Sequence, residues 1–252
     1  MKIKEILSII ILPVILFITG CDLITHFQEE PGDTNQNAGN ITGSGNLVSI
    51  EESFTNFNTI SLSHSFNAEV VQSDSYYVRL KVDDNVVQYL RSYQEGSTIY
   101  LGLINGSYNN ITLIAEIGMP DISSVFMSGA TRINLDGFQF DHSFNIDISG
   151  ASVVTGNIST GNLYCSLSGA SSVEIIGEGK DVNIVGSGAS NINLLNFPAE
   201  NINIHLSGAS VSTVNTSGIM NVSLSGVSRL WYRGNPTFGS LEISGSSSIT
   251  KI

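Results

Sequence analysis

Two acidic residues and a histidine form the strongest candidate in this chain for acid–base chemistry. Asp141 and His142 are adjacent, and Asp147 follows five residues after the histidine. Carboxylates that converge on one groove are what glycoside hydrolases and polysaccharide lyases use. The other acidic residues of the second half are scattered, which favours reading this trio as a solvated connecting loop. The sequence therefore predicts no catalytic residue, and a carbohydrate-active enzyme stays as the alternative.

An aromatic and basic cluster near the carboxyl end is the candidate binding site. Trp231 lies between Arg229 and Arg233, with Leu230 and Tyr232 interleaved. Because alternate residues of a strand point to opposite faces, Tyr232 should follow Leu230 inward and leave Trp231 outward. An exposed tryptophan beside arginine is typical of contacts with sugars or proteins. The tryptophan could equally cover the end of the fold as a cap.

The amino terminus has the pattern of an export signal that ends in a cysteine. Lys2 and Lys4 precede an apolar run of 13 residues, 6–18, which is shorter than a membrane span. The following Thr19-Gly20-Cys21 resembles a bacterial lipobox, whose cysteine becomes the lipid-bearing first residue, although Ile18 stands where leucine is commoner. An ordinary export signal with a coincidental cysteine is the alternative. We expect a lipoprotein signal peptide over 1–20, lipidation at Cys21 and a membrane partner held through that lipid.

The second of the two cysteines is expected in the core. Cys165 alternates with Leu163 and Leu167, so it should point inward as a small apolar residue. With Cys21 lipidated, the cysteines can form neither a disulfide framework nor a metal site. The sequence has no phosphate-binding loop or histidine-rich motif, so we expect no metal and no cofactor.

A short repeat supplies the elements that must position these residues. Ser-Gly-Ala begins at five places, and degraded copies at Ser225 and Ser244 extend the series, at intervals of 21, 19, 19, 20, 18 and 19 residues. Repetition at a short period indicates stacked units that each bury an apolar face against the next. The five full copies begin at Ser128, Ser149, Ser168, Ser187 and Ser207.

The stretches beside each Ser-Gly-Ala place apolar residues at every second position, which predicts strands with one buried face. A period near 19 residues suits one coil of a parallel β-helix, with coils stacked about 4.8 Å apart. The crossover preference of parallel strands predicts a right-handed coil. Glycine suits the corners, and the serines could form a hydrogen-bonded ladder from coil to coil. Nucleophilic serines would need a nearby base, and histidine is absent near most copies.

The sequence thus predicts an all-β molecule in three parts. A single-stranded right-handed parallel β-helix, a solenoid with coils of 19–20 residues, covers 123–252. A less regular β-rich region precedes it over 46–122, with strands at 59–62, 67–71, 76–82, 97–103 and 111–117 and a short helix at 86–91. Residues 21–45 are predicted to be a flexible tether because they carry too little apolar surface to fold.

Asparagines flank the inward positions of the repeat. Stacked asparagines form ladders in solenoids and also favour turns. An asparagine-rich outer face could instead bind a glycan. The set comprises Asn134, Asn183, Asn191, Asn193, Asn201, Asn203 and Asn221.

The composition suits an extracytoplasmic β-solenoid. Charged residues make up only 13% of the chain, and the net charge is −12. Removal of 1–20 takes away two of the 10 basic and one of the 22 acidic residues, which leaves 8 against 21, or −13. This balance disfavours nucleic acid and anionic membrane surfaces as partners.

Several motifs between 54 and 249, in this order, resemble the putative auto-transporter adhesin, head GIN domain family. The resemblance implies a β-helical fold in bacterial envelope proteins, commonly lipoproteins, and it supplies no catalytic residue. The motifs are Phe54-x-x-Phe57-x-x-Ile60, the run from Tyr77 to Asn85, Thr98-Ile99-Tyr100-Leu101, the Ser-Gly-Ala series, and the run from Leu230 to Pro236 with Ser244-Gly245.

These observations predict a non-catalytic, envelope-anchored lipoprotein that serves as an adhesin or as a binding or structural module. Its expected ligand is a glycan or an envelope protein, and no nucleic acid is expected as partner. A carbohydrate-active enzyme is the alternative, and a periplasmic sensor or assembly partner is a third possibility. We expect the outer membrane or cell surface rather than the periplasmic face, although Asp22 after Cys21 retains lipoproteins in the inner membrane of some bacteria.

Overall fold

The computed structural model describes residues 23–25 and 37–252 of the chain. The predicted signal peptide, Cys21 and much of the predicted tether lie outside the described residues. The described part is built from strands and one short 3-10 helix, so the predicted all-β class is confirmed. No helix within it has the length and apolar character needed to cross a membrane.

The first part of the fold is an irregular β region, as predicted. Its 3-10 helix, Asp84–Tyr89, lies close to the predicted short helix. The strands of this region are β1 (Leu23–Thr25), β2 (Asn37–Thr42), β3 (Leu47–Glu52), β4 (Thr59–Leu62), β5 (Asn67–Gln72), β6 (Tyr77–Asp83), β7 (Leu90–Glu95), β8 (Thr98–Leu103), β9 (Asn105–Asn109) and β10 (Leu113–Met119).

From residue 124 onward the strands alternate between two facing sheets, two strands to a coil. They are β11 (Ser124–Met127), β12 (Arg132–Gln139), β13 (Phe144–Ile148), β14 (Val153–Ser159), β15 (Asn162–Leu167), β16 (Ser172–Glu178), β17 (Asp181–Gly186), β18 (Asn191–Ala199), β19 (Asn201–Leu206), β20 (Val211–Thr216), β21 (Ile219–Leu224), β22 (Arg229–Arg233), β23 (Thr237–Ile243) and β24 (Ser248–Lys251).

The two sheets run the length of the stack. The long sheet has twelve strands in the order β1-β3-β6-β10-β5-β12-β14-β16-β18-β20-β22-β24. The short sheet has ten, in the order β23-β21-β19-β17-β15-β13-β11-β4-β8-β7. All pairs from β11 to β24 are parallel, so the predicted parallel solenoid is confirmed.

Inward side chains of the two sheets meet in one continuous core. On the short sheet Ile146, Cys165, Ile184 and Ile204 are in register on successive coils, and all are buried. Each such aliphatic side chain contributes about 1.5–3 kcal/mol by leaving water. Cys165 is a free thiol in this stack, as the alternation predicts, and burial raises its pKa to about 12.

Each Ser-Gly-Ala forms the corner that leads from the short sheet to the long sheet. The glycine has a positive φ, 75° at Gly150 and 72° at Gly169. The Ala170 N–H donates to the Gly150 carbonyl at 2.7 Å. A Cβ on Gly169 would lie 2.5 Å from that same carbonyl oxygen. Glycine is therefore required both by the backbone angle and by the close stacking of the corners.

The first serine of several corners bonds to the preceding coil, as the repeat suggested, although its partner is a carbonyl: the Ser149 hydroxyl donates to the Met127 carbonyl at 3.3 Å. The buried serine after alanine bonds within its own corner, as Ser171 Oγ does in donating to the Ser168 carbonyl at 2.8 Å. Successive corners are joined mainly by the alanine N–H and glycine carbonyl described above. A direct hydroxyl contact between coils occurs between Thr131 and Ser152, at 3.0 Å.

The first corner of the stack has a histidine where the others have glycine. His64 has a φ of 67°, and its carbonyl accepts from the Ala130 N–H at 2.7 Å. The repeat of corners therefore begins one coil earlier than the Ser-Gly-Ala series. His64 Nδ1 also accepts a hydrogen bond from the Leu103 N–H, at 3.2 Å. Burial lowers the pKa of this imidazole.

The predicted tether over 21–45 is wrong over its last part. Residues Asn37–Thr42 form β2, which pairs in parallel with β9, and the Asn109 side chain donates to Asn40 Oδ1 at 2.7 Å. Leu23–Thr25 pairs with β3. Strand β9 lies far from β2 in the chain and supplies it with main-chain hydrogen bonds. The polar segment 37–42 can therefore form a strand without an apolar face of its own.

Buried Asp83 fixes the loops at this end of the fold. Its two carboxylate oxygens accept backbone N–H bonds from Gly45 and Thr112, both at 2.6 Å. This residue belongs to the motif that carries the family resemblance, and its role in the structure is to join two connections. A carboxylate that accepts main-chain donors in this way is a structural anchor rather than a reactive group.

Candidate functional site

The predicted binding residues lie together on the outer face of the long sheet, in its penultimate strand. Along β22, Leu230 is buried and Tyr232 is half-buried, while Arg229, Trp231 and Arg233 are exposed. The alternation therefore places the three candidates in one outward row, which we call the Arg–Trp–Arg row. Trp231 has 39% of its surface exposed.

Short side chains lie on both sides of the indole. Parallel pairing places Thr213 of β20 and Thr250 of β24 in register with Trp231. Arg229 is in register with Val211 and Ser248. No bulky neighbour is in register with the tryptophan, so its ring can be reached from solvent.

The two guanidinium groups of the row are not committed to other side chains. Within the described residues, neither Arg229 nor Arg233 takes part in a side-chain hydrogen bond or an ion pair. From residue 201 onward the chain has three basic residues, these two and Lys251, against one acidic residue, Glu242. The last coils thus carry +2 in a chain whose net charge is −12.

A different pair of rings packs at the end of the core. Tyr232 and Phe238 meet edge to face, with ring centroids 5.7 Å apart and an interplanar angle of 90°. Tyr232 also packs against the buried core. The cap that the sequence offered as an alternative role for Trp231 is therefore made by its neighbours, and the tryptophan projects away from it.

The acid–base candidate is dispersed. His142 Nε2 lies 2.8 Å from the Asp121 carboxylate, and its ring stacks on Phe140 at 4.3 Å. Asp147 is on the outer face of β13, whereas Asp141 lies in the preceding turn and lines a different groove. Burial lowers the pKa of His142. Its hydrogen bonds to the Ser143 carbonyl and the Asp121 carboxylate raise the pKa by more, so the net shift is upward. The trio does not converge as an acid–base pair requires.

The outward asparagines bond mainly to one another and to carboxylates. Asn203 donates to Asn183 Oδ1 at 2.9 Å, and Asn221 donates to Asn203 Oδ1 at 2.8 Å. Asn201 donates to Asp181 at 2.8 Å. These contacts run from coil to coil, so the ladder role is confirmed for this part of the set.

Sequence reasoning missed a second cluster, on the outer face of the short sheet. Phe126 and Tyr164 are 43% and 40% exposed and line one open groove of about 390 Å³. The signal was available, because each aromatic alternates with buried residues and so had to point outward. We call this cleft the aromatic groove; it is lined chiefly by Phe126, Asn145, Asp147, Tyr164, Asn183 and Val185.

No group of three or more histidine, cysteine, aspartate or glutamate side chains in the described part of the chain is arranged to hold a metal ion. Neither the Arg–Trp–Arg row nor the aromatic groove has the ligand set of a cation site. Both surfaces combine aromatic rings with polar groups, which is the chemistry of recognition.

Comparison with known proteins identifies relatives. Residues 56–236 match the family model described as putative auto-transporter adhesin, head GIN domain, while no curated protein matches the chain in sequence. A solved putative adhesin from Bacteroides fragilis is similar over 84% of this chain and 100% of its own, with a TM-score of 0.74 and 19% identity. A putative lipid binding protein from Parabacteroides distasonis is similar over 84% and 99%, with a TM-score of 0.68 and 19% identity. At these identities the likeness concerns the fold.

Proposed function

Because the chain belongs to the putative auto-transporter adhesin, head GIN domain family, we propose that it is a non-catalytic binding module of the bacterial envelope. The membership confirms the resemblance inferred from the motifs. It supports a location at the cell surface or in the envelope. We propose further that the Arg–Trp–Arg row is the ligand contact and that the ligand is an acidic glycan.

The observation that carries the proposal is the pair of uncommitted guanidinium groups beside an exposed indole. A planar guanidinium can bind a carboxylate or phosphate oxygen pair through two parallel N–H bonds. An indole face packs against the C–H face of a sugar ring. Alternate residues of a strand are about 6.6 Å apart, so each arginine stands beside the ring at a distance suited to an acidic substituent of the same chain.

The anchor completes the proposal. A lipid on Cys21 would hold the amino-terminal end at the membrane, and the membrane is then the first partner of the protein. The Arg–Trp–Arg row lies in the last coils, at the opposite end of the stack from β1 and β3. In this arrangement the ligand contact is the part of the solenoid that reaches furthest from the anchored segment.

The chain contains a single tryptophan, so its fluorescence reports on this site directly. We expect polygalacturonate, titrated into the full-length protein in detergent, to change the emission of Trp231, whereas neutral dextran should not. Arg229→Gln with Arg233→Gln should weaken the response at least tenfold. Added salt should weaken it as well, because exposed charges are screened.

Arg132→Gln is the matched control, since Arg132 is an exposed arginine of the same sheet on β12. An unchanged emission with every acidic polysaccharide would reject the acidic glycan. An equal loss in Arg132→Gln would show that net charge alone is responsible. Release of reducing ends during the titration would show that the polysaccharide is cleaved and would support the carbohydrate-active enzyme instead.

A further inference from the structure

We infer that the aromatic groove is a second binding site and that it takes an uncharged oligosaccharide. The groove lies on the short sheet, whereas the Arg–Trp–Arg row lies on the long sheet. The inference therefore stands independently of the acidic glycan proposed above.

The strand register determines the shape of the groove. One outward row contains Phe126, Asp147 and Ser166, and the adjacent row contains Asn145 and Tyr164. The two aromatic residues are thus separated by two strand spacings, about 10 Å across the strands, and by two residues, about 6.6 Å, along them. Between them lies β13, which presents Asn145 and Asp147. The result is a floor of polar groups with an aromatic ring at each side.

The row that holds Tyr164 is a ladder of short polar side chains in later coils. Tyr164 stands in the row that later coils fill with Asn183, Asn203 and Asn221, which bond to one another. An asparagine at 164 would continue that ladder. Large apolar surface left in water where the fold can use a ladder residue indicates a surface kept for a ligand.

The polar groups of the floor retain unused hydrogen-bonding capacity. Among the residues that the structure describes, the Asp147 carboxylate and the Tyr164 hydroxyl make no hydrogen bond. Asn145 uses its Nδ2 to donate to Ser123 and Ser124, both at 3.3 Å, and its Oδ1 stays available. Sugar hydroxyls can donate to these acceptors while the C–H faces of the same rings stack on the aromatic side chains.

Charge selects between sugar classes. Among the described residues that line the groove, Asp147 alone is ionised, so an acidic glycan would be repelled and an uncharged one would not. Aromatic residues also continue along the outward row past Ser61 to Tyr100, which stacks on Tyr93 with centroids 4.8 Å apart. A chain of several sugars could therefore extend across the coils.

The test uses full-length protein in detergent and isothermal titration with five uncharged hexasaccharides, from the malto-, cello-, manno-, xylo- and N-acetylated chito-series. We expect at least one to bind, with a loss of tenfold or more in Tyr164→Asn and in Phe126→Ser. Both variants copy side chains that the same rows already hold, so folding should survive. Ile176→Ser, which removes a residue 45% exposed on the other sheet, is the matched control and should bind as the wild type does.

Asp147→Asn keeps the shape of the groove and removes a charge, and it should weaken binding while thermal melts stay unchanged. Failure of all five sugars to bind the wild type overturns the inference, as does full binding by Tyr164→Asn and Phe126→Ser together. Binding of decalysine that depends on Asp147, in place of sugar binding, would assign the groove to a cationic peptide instead. Tryptophan emission should not respond to the uncharged sugars, because Trp231 lies on the long sheet, so this result and that for the acidic glycan are read separately.

Discussion

His64 is the residue at which the repeat and the irregular region meet. It occupies a corner position that later coils give to glycine, with a φ of 67°. Its Nδ1 must be unprotonated to accept from the Leu103 N–H, and its ring lies edge to face with Tyr108 at 5.9 Å. A corner that stacks like the others is thus tied to the irregular region through one imidazole.

We predict that this imidazole makes the fold less stable in mild acid. Burial lowers the pKa of His64 below its ordinary value of 6.5, so the unfolded chain binds the proton first. The contribution of neutral His64 to the stability of the fold is complete above pH 6.5, and it is lost as the pH falls from there towards the pKa of His64 in the folded protein. Thermal melts between about pH 8 and pH 5 should therefore show a steeper fall for the wild type than for His64→Asn. Asparagine tolerates positive φ, and parallel curves for the two proteins would contradict the assignment.

The corner glycines permit a second prediction, in which stacking is separated from backbone strain. Gly169 and Gly137 have nearly equal φ values, 72° and 78°, but only Gly169 has a stacked carbonyl where a Cβ would go. Gly137→Ala should lower the free energy of unfolding by about 1–2 kcal/mol, because alanine is disfavoured in the left-handed backbone conformation. Gly169→Ala should lose several kcal/mol in urea unfolding because two coils must move apart. Equal losses would mean that the corners are not tightly stacked.

Register is the property of the strands that decides which side chains the molecule shows. On β19, Ile204 is buried and His205 points outward. Ile204→Asp should cost at least about 3 kcal/mol, since it removes an aliphatic group from the core and buries an unpaired carboxylate. His205→Asp, one residue further, should melt within a few degrees of the wild type. The reverse order of melting temperatures would mean that the assigned register of this strand is wrong by one residue.

Elements that repeat could be predicted from the sequence, and elements that pair at long range could not. Alternation and the corner spacing predicted Trp231 outward and Cys165 inward, because every coil buries one face of its strands in the same way. Strands β2 and β9 lack that signal, since their bonds are to a distant polar segment. The corner at His64 was hidden because its residue type differs although its backbone does not.

The candidate surfaces divide in the same way. The Arg–Trp–Arg row could be predicted because its three residues lie on one strand. The aromatic groove combines Phe126 and Tyr164 from different coils with Asp147 between them, so its existence depends on the pairing register. The acid–base trio was close only in sequence, and His142 found its partner in Asp121, one coil away.

At the scale of the whole molecule, attachment to the membrane is the first property to test. We predict that a clickable fatty acid labels the wild type in cells and does not label Cys21→Ser. Cys165→Ser is the matched control and should label fully, because its thiol is buried and its pKa is raised to about 12. Labelling of Cys21→Ser at the wild-type level would reject the lipid anchor.

The stacking of coils also determines how the protein bears a mechanical load. In a solenoid, the hydrogen bonds between coils point along the stack. A pull between the amino-terminal end and the last coils therefore stretches those bonds lengthwise, and the outermost coil carries the load first. Each coil that peels away frees about 19 residues, roughly 65 Å of extended chain. Such a molecule would lengthen in steps under tension. The outermost coil would unfold first and dissipate the force before the next coils of the stack were disturbed.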